Sequence, residues 1–155
     1  MKKQIKKVIA ASLVMSIFWG CSQIGPEKKV FERRNLQNIY VQDGDLSHLD
    51  LKRTDLSGSF LKGVDLRNTN LEQSNLSKVN FQNANLQGTN LKKSNLTYAD
   101  FYNANLQNAN LEGADISGAN FRNAVVSGAN FQNVTGMSES TKALIVQGGA
   151  TVSPF

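Results

Sequence analysis

The sequence predicts a solenoid in which the chain winds in square coils of twenty residues. The first observation is a large apolar residue at every fifth position from Leu46 to Phe131, eighteen in succession. Neither an α-helix, with its period of 3.6, nor a strand, with its period of 2, accounts for this spacing. A strict short period is typical of repeat architectures, in which each unit buries its apolar side chain by stacking on its neighbours.

Two longer repeats give the length of a coil. Phe81, Phe101 and Phe121 lie twenty residues apart. Charge alternates in sign at the same interval, through Lys52-Arg53, Glu72, Lys92-Lys93 and Glu112. If one coil holds four units, residues twenty apart are stacked neighbours, so the phenylalanines form an internal column and the charges an attractive outer ladder. A coil of three or five units breaks both regularities, and the sequence therefore predicts four faces.

The repeated unit resembles that of the pentapeptide repeat proteins, which is commonly written A(D/N)LXX. Clear copies are Ala104-Asn105-Leu106-Gln107-Asn108 and Ala109-Asn110-Leu111-Glu112-Gly113. The resemblance implies an all-β fold, a right-handed quadrilateral β-helix of about 4.5 coils over residues 45–133. It also implies that the central Leu or Phe and the small residue two before it point inward. It implies no particular activity, because one fold serves many functions.

Residues 1–21 have the pattern of an export signal. Four lysines precede an apolar stretch, Val8 to Trp19, that is too short to span a bilayer as a mature helix. Gly20-Cys21 closes the signal and resembles a bacterial lipobox. This resemblance implies that Cys21 carries the lipid, such as palmitate, and becomes the first mature residue. The alternatives are an ordinary signal peptide that contains Cys21, an uncleaved anchor, or a cytosolic protein.

The lipobox resemblance also predicts the location of the protein. Residues 22–29 are polar and suit a tether between the lipid and the folded domain. The predicted location is the bacterial cell envelope, on a membrane. Ser22 after Cys21 resembles lipoproteins sorted to the outer membrane in a Gram-negative envelope.

Segments at both ends of the repeats are predicted to cap the solenoid. Residues 22–44 provide the tether and an N-terminal cap, within which Asn35-Leu36 is in phase as a degenerate first unit. Residues 134–155 provide a capping helix and a tail, with Ser138 as the N-cap and Gly148-Gly149 as the stop signal. The helix is expected to close the last coil near Val126 and Phe131, and residues 150–155 are expected to be a tail.

A few side chains break the repeat and are candidate contact residues. Phe60 and Val125 replace the Asn or Asp that usually precedes the central residue, so each should point outward. An outward apolar side chain needs a cover, which the N-terminal and C-terminal segments could provide, or it marks a partner-binding site. Tyr98 and Tyr102 fall on adjacent faces of one coil, where they could flank a shared corner and contact a protein partner.

Composition argues against several classes of function. The formal charge is +5, but without Lys2, Lys3, Lys6 and Lys7 the chain has 13 basic and 12 acidic residues. Residues 45–133 carry eight of each, so neither a nucleic-acid-binding stripe nor an acidic mimic of DNA is indicated. His48 is the only histidine and is predicted to be a surface residue. We predict no catalytic residues, metal, cofactor or small-molecule substrate, and the single cysteine excludes an intramolecular disulfide.

These observations together predict a non-enzymatic, membrane-anchored structural or protein-interaction module of the bacterial envelope. Its partners would be the membrane, through the lipid on Cys21, and an unidentified protein, but no nucleic acid. One alternative is a regulator of a DNA topoisomerase, because some pentapeptide repeat proteins resemble duplex DNA through an acidic, elongated dimer. The other alternative is a secreted effector.

Overall fold

The computed structural model describes residues 35–153. The predicted export signal with Cys21, the predicted tether and the first part of the predicted cap lie outside these residues. No helix within 35–153 has both the length and the apolar character needed to cross a bilayer.

The chain winds as a quadrilateral β-helix whose coils contain twenty residues. Seventeen isolated parallel bridges run from Asn35↔Asp55 to Asp115↔Thr135, and each joins residues twenty apart. Backbone hydrogen bonds join the same stacked coils, as in Leu56 N–H to the Asn75 carbonyl at 2.9 Å and Asn75 N–H to the Thr54 carbonyl at 3.0 Å. The predicted coil of four five-residue units is therefore confirmed.

The β-helix includes residues 35–44, ahead of the predicted boundary at residue 45. Asn35 and Tyr40 bridge Asp55 and Phe60, so residues 35–44 belong to the first coil and continue its period. Val41 occupies a central position and is 3% exposed. The bridged stretch from Asn35 to Thr135 makes five coils, numbered here from coil 1 (35–54) to coil 5 (115–134).

Each unit turns a corner through a residue with positive φ. In the unit centred on Leu51, Arg53 has φ 57°, and Thr54 N–H returns to the Leu51 carbonyl at 3.3 Å. Positive φ favours Gly and Asn, because a Cβ is strained in that region. This explains why the sequence is rich in both two residues after each central residue.

The interior is a set of stacked side-chain columns. Phe81 stacks on Phe101 with ring centroids 5.1 Å apart, and Phe101 stacks on Phe121 at 4.9 Å. This is the predicted phenylalanine column. Leucine columns fill the other three faces, and their central members are fully buried (Leu66, Leu86, Leu71, Leu91, Leu76, Leu96).

Buried hydroxyl groups occupy the small-residue position at six places in the first three coils (Thr54, Ser59, Thr69, Ser74, Thr89, Ser94). Thr69 and Thr89 donate to the Leu46 and Leu66 carbonyls, each at 2.7 Å. Ser74 donates to the Leu51 carbonyl at 2.9 Å. Because a buried polar group costs free energy unless it is hydrogen-bonded, these bonds make the hydroxyls tolerable in the core. Alanine takes the same position in the later coils, as at Ala104 and Ala109.

A short helix closes the C-terminal end of the prism. Helix α1 spans Glu139–Gln147, and the Ser138 side chain accepts a hydrogen bond from Thr141 N–H at 3.1 Å. Ile145 is completely buried in the core of the last coil. Gly148 lies so close to Val126 that a Cβ at this position would clash with it. The helix therefore packs where the sequence analysis placed it.

Residues 151–152 form a strand, whereas the sequence analysis expected a tail from residue 150. Strand β1 (Asn130–Phe131) pairs in parallel with strand β2 (Thr151–Val152). Asn133 N–H also donates to Ser153 Oγ at 2.8 Å. Helix α1 replaces the repeat units that would otherwise connect these strands, so the strand lacks the repeat signature. The expectation of a tail was wrong for these residues because the open edge of the last coil pairs with them.

Candidate interaction surface

Exposed aromatic side chains are concentrated on one of the four faces. This face, called here the aromatic face, consists of the units centred on Val41, Leu61, Phe81, Phe101 and Phe121. The outward-pointing residues of this face are those directly before and directly after each central residue. Within residues 35–153, every tyrosine and every phenylalanine outside the core lies on this face or at its corner (Tyr40, Phe60, Tyr98, Tyr102).

Phe60 is partly covered by an aromatic residue from the coil that precedes it. The Tyr40 and Phe60 rings stack with centroids 4.7 Å apart and an interplanar angle of 1°. Tyr40 remains 58% exposed and donates its hydroxyl to Gln42 Oε1 at 3.0 Å. Tyr40 thus supplies the cover expected for Phe60 from the N-terminal segment, but this cover is itself an exposed ring. Sequence reasoning missed Tyr40 as a surface residue, although its twenty-residue spacing from Phe60 was visible.

Tyr98 and Tyr102 stand in the turns at the two ends of the aromatic face in coil 4. They are 67% and 39% exposed. From the sequence, the two tyrosines were expected to flank a shared corner. They do not, because a strand segment containing Asp100 separates their two turns. The Tyr98 ring lies over Gly118 in the next coil, within 2.6 Å of where a Cβ would stand. Gly118 therefore gives this ring the space to lie along the surface.

Polar groups at the centre of the aromatic face converge on Asp100. Its carboxylate accepts hydrogen bonds from Gln82 Nε2 at 2.6 Å, Asn120 Nδ2 at 2.8 Å and the Tyr102 backbone N–H at 3.1 Å. The donors come from three successive coils, so this network fixes the face as a flat surface. Flat surfaces with ordered polar groups and tyrosines suit protein contacts better than small molecules.

Two Lys–Glu ion pairs join charges on the opposite face. This ladder face consists of the units centred on Leu51, Leu71, Leu91, Leu111 and Phe131. Lys52 lies 3.4 Å from Glu72, and Lys92 lies 2.9 Å from Glu112, which confirms two rungs of the predicted ladder. An asparagine column beside them is also linked, with Asn90 donating to Asn70 at 3.1 Å. These groups satisfy one another across coils and leave fewer contacts to offer a partner.

Val125 stays uncovered by the C-terminal segment. It is 52% exposed, whereas helix α1 packs on Val126. The expected cover for Val125 was wrong because the helix closes the end of the prism and does not fold back along its side. Val125 is a single apolar side chain between polar neighbours, and single exposed apolar residues are ordinary on protein surfaces.

The titratable residues form no constellation suited to catalysis within the described part of the chain. His48 is exposed in a turn, with φ 60°. The Arg67 guanidinium binds Asp65 at 2.6 Å and lowers the pKa of that carboxyl below 3.8. The Ser117 hydroxyl and backbone N–H likewise lower the pKa of Asp115. Both carboxylates are thus kept ionised, which is the opposite of what a general acid needs.

No cluster of three metal-binding side chains occurs among residues 35–153. Two shallow grooves border helix α1. One of about 300 Å³ is lined by Phe131, Met137 and Val152, and one of about 430 Å³ by Asn120, Arg122 and Thr141. Neither contains Cys21, which lies outside the described residues, or any of the candidate contact residues Phe60, Tyr98 and Tyr102.

A family model described as pentapeptide repeats matches residues 35–73, 74–113 and 99–135. These matches cover the five coils seen in the structure. The chain is a pentapeptide repeat protein. Members of this family form right-handed quadrilateral β-helices, which the observed coil geometry reproduces. They are generally structural or interaction modules and not enzymes.

Several solved structures are similar to this pentapeptide repeat protein. A pentapeptide repeat protein from the Arabidopsis thaliana thylakoid lumen is 24% identical, with a TM-score of 0.65 and coverage of 84% of this chain and 85% of that one. HetL of Nostoc sp. strain PCC 7120, involved in heterocyst differentiation regulation, is 25% identical, with a TM-score of 0.44 and coverage of 77% and 51%. The match thus spans about half of HetL.

QnrB1, a plasmid-mediated fluoroquinolone resistance protein, is more distant. It is 16% identical, with a TM-score of 0.32 and coverage of 77% of this chain and 64% of QnrB1. None of the curated proteins is a significant match to this chain. The similarity to the Arabidopsis thaliana protein supports the fold alone and leaves the activity to be argued from the surface.

Proposed function

We propose that this protein is a non-enzymatic interaction module that a lipid on Cys21 holds at a membrane of the bacterial envelope. The observation that carries the interaction role is the concentration of exposed aromatic side chains on one face of a rigid prism. Tyrosine is enriched at protein interfaces because its ring adds apolar contact while its hydroxyl can still find a hydrogen-bond partner.

The anchoring part of the proposal is supported by the sequence. The lysine-rich start, the apolar stretch and Gly20-Cys21 together resemble a lipoprotein signal. Only thirteen residues separate Cys21 from Asn35, which lies in coil 1. A tether of this length would keep the prism within about 45 Å of the membrane, at about 3.3–3.6 Å per extended residue. The prism would then meet its partners at the membrane surface.

The test of anchoring is metabolic labelling with a fatty acid, combined with membrane fractionation. Wild type and Cys21→Ala would be compared, with Ser22→Ala as a control that leaves the cysteine in place. We expect label and membrane association in wild type and Ser22→Ala, and loss of both in Cys21→Ala. An unlabelled wild-type protein in the soluble fraction of the cell would overturn the proposed anchoring.

The surface charge weighs against the alternative of a topoisomerase regulator that mimics DNA. Residues 35–153 carry nine basic and ten acidic side chains, so their net charge is close to zero. DNA carries one negative charge for about every 1.7 Å of helix axis. On the ladder face, Lys52 and Lys92 neutralise Glu72 and Glu112 directly. Direct binding of the protein to a purified type II topoisomerase would revive this alternative.

A further inference from the structure

We propose that the aromatic face pairs with the same face of a second copy of this chain, with the two helix axes parallel. The inference deepens the proposed function by naming one partner, and it rests on that function for the high local concentration that a membrane anchor provides. The residues assigned to the interface are those that precede and follow each central residue of the aromatic face.

Charge is distributed differently on the aromatic face and on the ladder face. The ladder face pairs its charges between coils, as in Lys52–Glu72. On the aromatic face, Lys62 of coil 2 and Arg122 of coil 5 form no ion pair with any residue between 35 and 153. Coil 3 has Asn80 and Gln82 at the corresponding positions. This face therefore keeps charged groups available for a second molecule.

A twofold axis parallel to the helix axis makes this surface complementary to itself. This axis places each coil opposite the same coil of the second copy. The residues directly before the central residues of one copy then lie opposite the residues directly after the central residues of the other. The pairs formed between copies are Tyr40 with Gln42, Phe60 with Lys62, Asn80 with Gln82, Asp100 with Tyr102, and Asn120 with Arg122. None of these pairs brings together two charges of the same sign.

Two of the pairs are specific attractive combinations. Lys62 of one copy would lie over the Phe60 ring of the other, a cation–π contact. The Tyr102 hydroxyl would donate to the Asp100 carboxylate of the second copy, a charge-assisted hydrogen bond. Symmetry produces each contact twice. In the remaining pairs, the amides and the phenol can both donate and accept hydrogen bonds, and the Arg122 guanidinium donates.

The antiparallel arrangement fits less well. A twofold axis perpendicular to the helix axis, within the interface, would set coil 2 against coil 4 and coil 3 against itself. Phe60 would then face the Asp100 carboxylate, which repels the negative face of a ring. Lys78, at the corner beside Asn80, would face Lys78 of the second copy. Like charges set directly opposite each other are destabilising.

The expected dimer is weak. A face of five coils is about 24 Å tall at the usual spacing of roughly 4.8 Å between strands, and this is small for a stable interface, which buries about 800 Å² per partner. Holding both copies on one membrane raises their effective concentration and favours a contact of this size. The parallel arrangement also places both N-termini on the same side, as anchoring to one membrane requires.

The test is disulfide crosslinking between two full-length copies that carry different affinity tags and are expressed together in cells. One copy carries Asn80→Cys and the other Gln82→Cys, both in coil 3 of the aromatic face. The matched control uses Asn90→Cys and Lys92→Cys, which occupy the equivalent positions in the same coil on the ladder face. A wild-type pair measures the background from Cys21.

We expect the disulfide-linked, doubly tagged dimer to form at least fivefold more in the aromatic-face pair than in the ladder-face pair. Lys62→Ser/Tyr102→Ser added to both copies removes the cation and the hydroxyl of the two specific contacts and should lower this yield at least threefold, while Val125→Ser should leave it unchanged. Equal yields on the two faces would overturn the proposal. A higher yield from Asn80→Cys on both copies than from the mixed pair would also overturn it, because that disulfide reports the antiparallel arrangement.

Failure of this proposal can be separated from failure of the proposed function. Fatty-acid labelling and fractionation of the same cells show whether the chain is anchored. Anchored protein without crosslinks would refute the dimer and leave the anchored module intact. Soluble, unlabelled protein that still crosslinks through the aromatic face would refute the anchor and support the dimer.

Discussion

At the scale of single residues, position within the unit decides the role of each side chain. Phe101 and Tyr102 are neighbours in sequence, yet Phe101 is completely buried and Tyr102 is 39% exposed. The Phe101 ring lies in the column between Phe81 and Phe121, and the Tyr102 ring lies on the aromatic face. The five-residue period predicted both orientations, because it fixes which positions point inward.

Phe101→Ala should be strongly destabilising. It removes the middle ring of a three-ring column and leaves a cavity that the β-helix cannot easily close, at a cost of about 3–5 kcal/mol. Tyr102→Ala, the exposed neighbour, should cost less than about 1 kcal/mol. Urea denaturation followed by circular dichroism compares the two variants. Similar midpoints for both would contradict the proposed column.

The Asp65–Arg67 pair should make a small, pH-dependent contribution to stability. Because Arg67 lowers the pKa of Asp65 in the folded state, this contribution is present above about pH 3.8 and is lost as pH falls through the lower folded pKa. Asp65→Asn keeps the acceptor for the Arg67 backbone N–H but removes the charge. Both side chains are partly exposed, so the loss at pH 7 should stay below about 1 kcal/mol.

The measurement is the difference in urea midpoint between wild type and Asp65→Asn at pH 7 and at pH 2. The difference should be present at pH 7 and smaller at pH 2, because the contribution is lost as pH falls below 3.8 towards the lowered folded pKa of Asp65. A difference of the same size at both pH values would show that the substitution acts through packing and not through charge.

At the scale of elements, the two ends of the prism were harder to predict than its middle. Ser138 and Gly148-Gly149 marked the limits of helix α1, because capping chemistry is local. The sequence of strand β2 contains no comparable local signal, because only its pairing with β1 makes it a strand. Coil 1 was visible in the phase of Leu36 and Val41, but its unusual neighbours Ile39 and Tyr40 obscured the repeat.

Helix α1 should contribute to stability mainly through one side chain. Ile145 is completely buried in the core of the last coil, whereas Val146 is 51% exposed. Ile145→Ala should therefore cost about 2–5 kcal/mol, and Val146→Ala less than about 1 kcal/mol. Thermal unfolding of the two adjacent variants provides the comparison. Equal destabilisation would mean that the helix does not pack on the end of the prism through Ile145.

At the scale of the whole molecule, the repeat predicted the fold but only part of the interaction surface. The period of five and the spacing of twenty were enough to predict the length of the coil, the phenylalanine column and two rungs of the charge ladder. Phe60 was recognised as a departure from the repeat, and Tyr98 and Tyr102 were recognised as candidate contact residues. That they border one face with Tyr40 required the three-dimensional arrangement, because they lie in three different coils.

The solenoid should tolerate removal of a whole coil but not of half a coil. Deleting residues 94–113 brings residue 114 into the position of residue 94, so Phe121 takes the place of Phe101 and the columns continue. Deleting residues 94–103 shifts every later unit by two faces and breaks the phenylalanine column. We expect cooperative unfolding for the first deletion, with lower stability because fewer interfaces remain, and loss of the β signal for the second. Equal folding of both would contradict stacking in register.

The central claim is that one face of a membrane-anchored prism makes its contacts. The most direct measurement places a photoactivatable crosslinking residue, in full-length protein in cells, at Ser77, Gln82, Gln87 or Lys92. These positions are equivalent by repeat symmetry and sample the four faces in turn. The account predicts that protein adducts form mainly from Gln82, on the aromatic face. Adducts of equal yield on all four faces, or adducts that favour Lys92 on the ladder face, would contradict it.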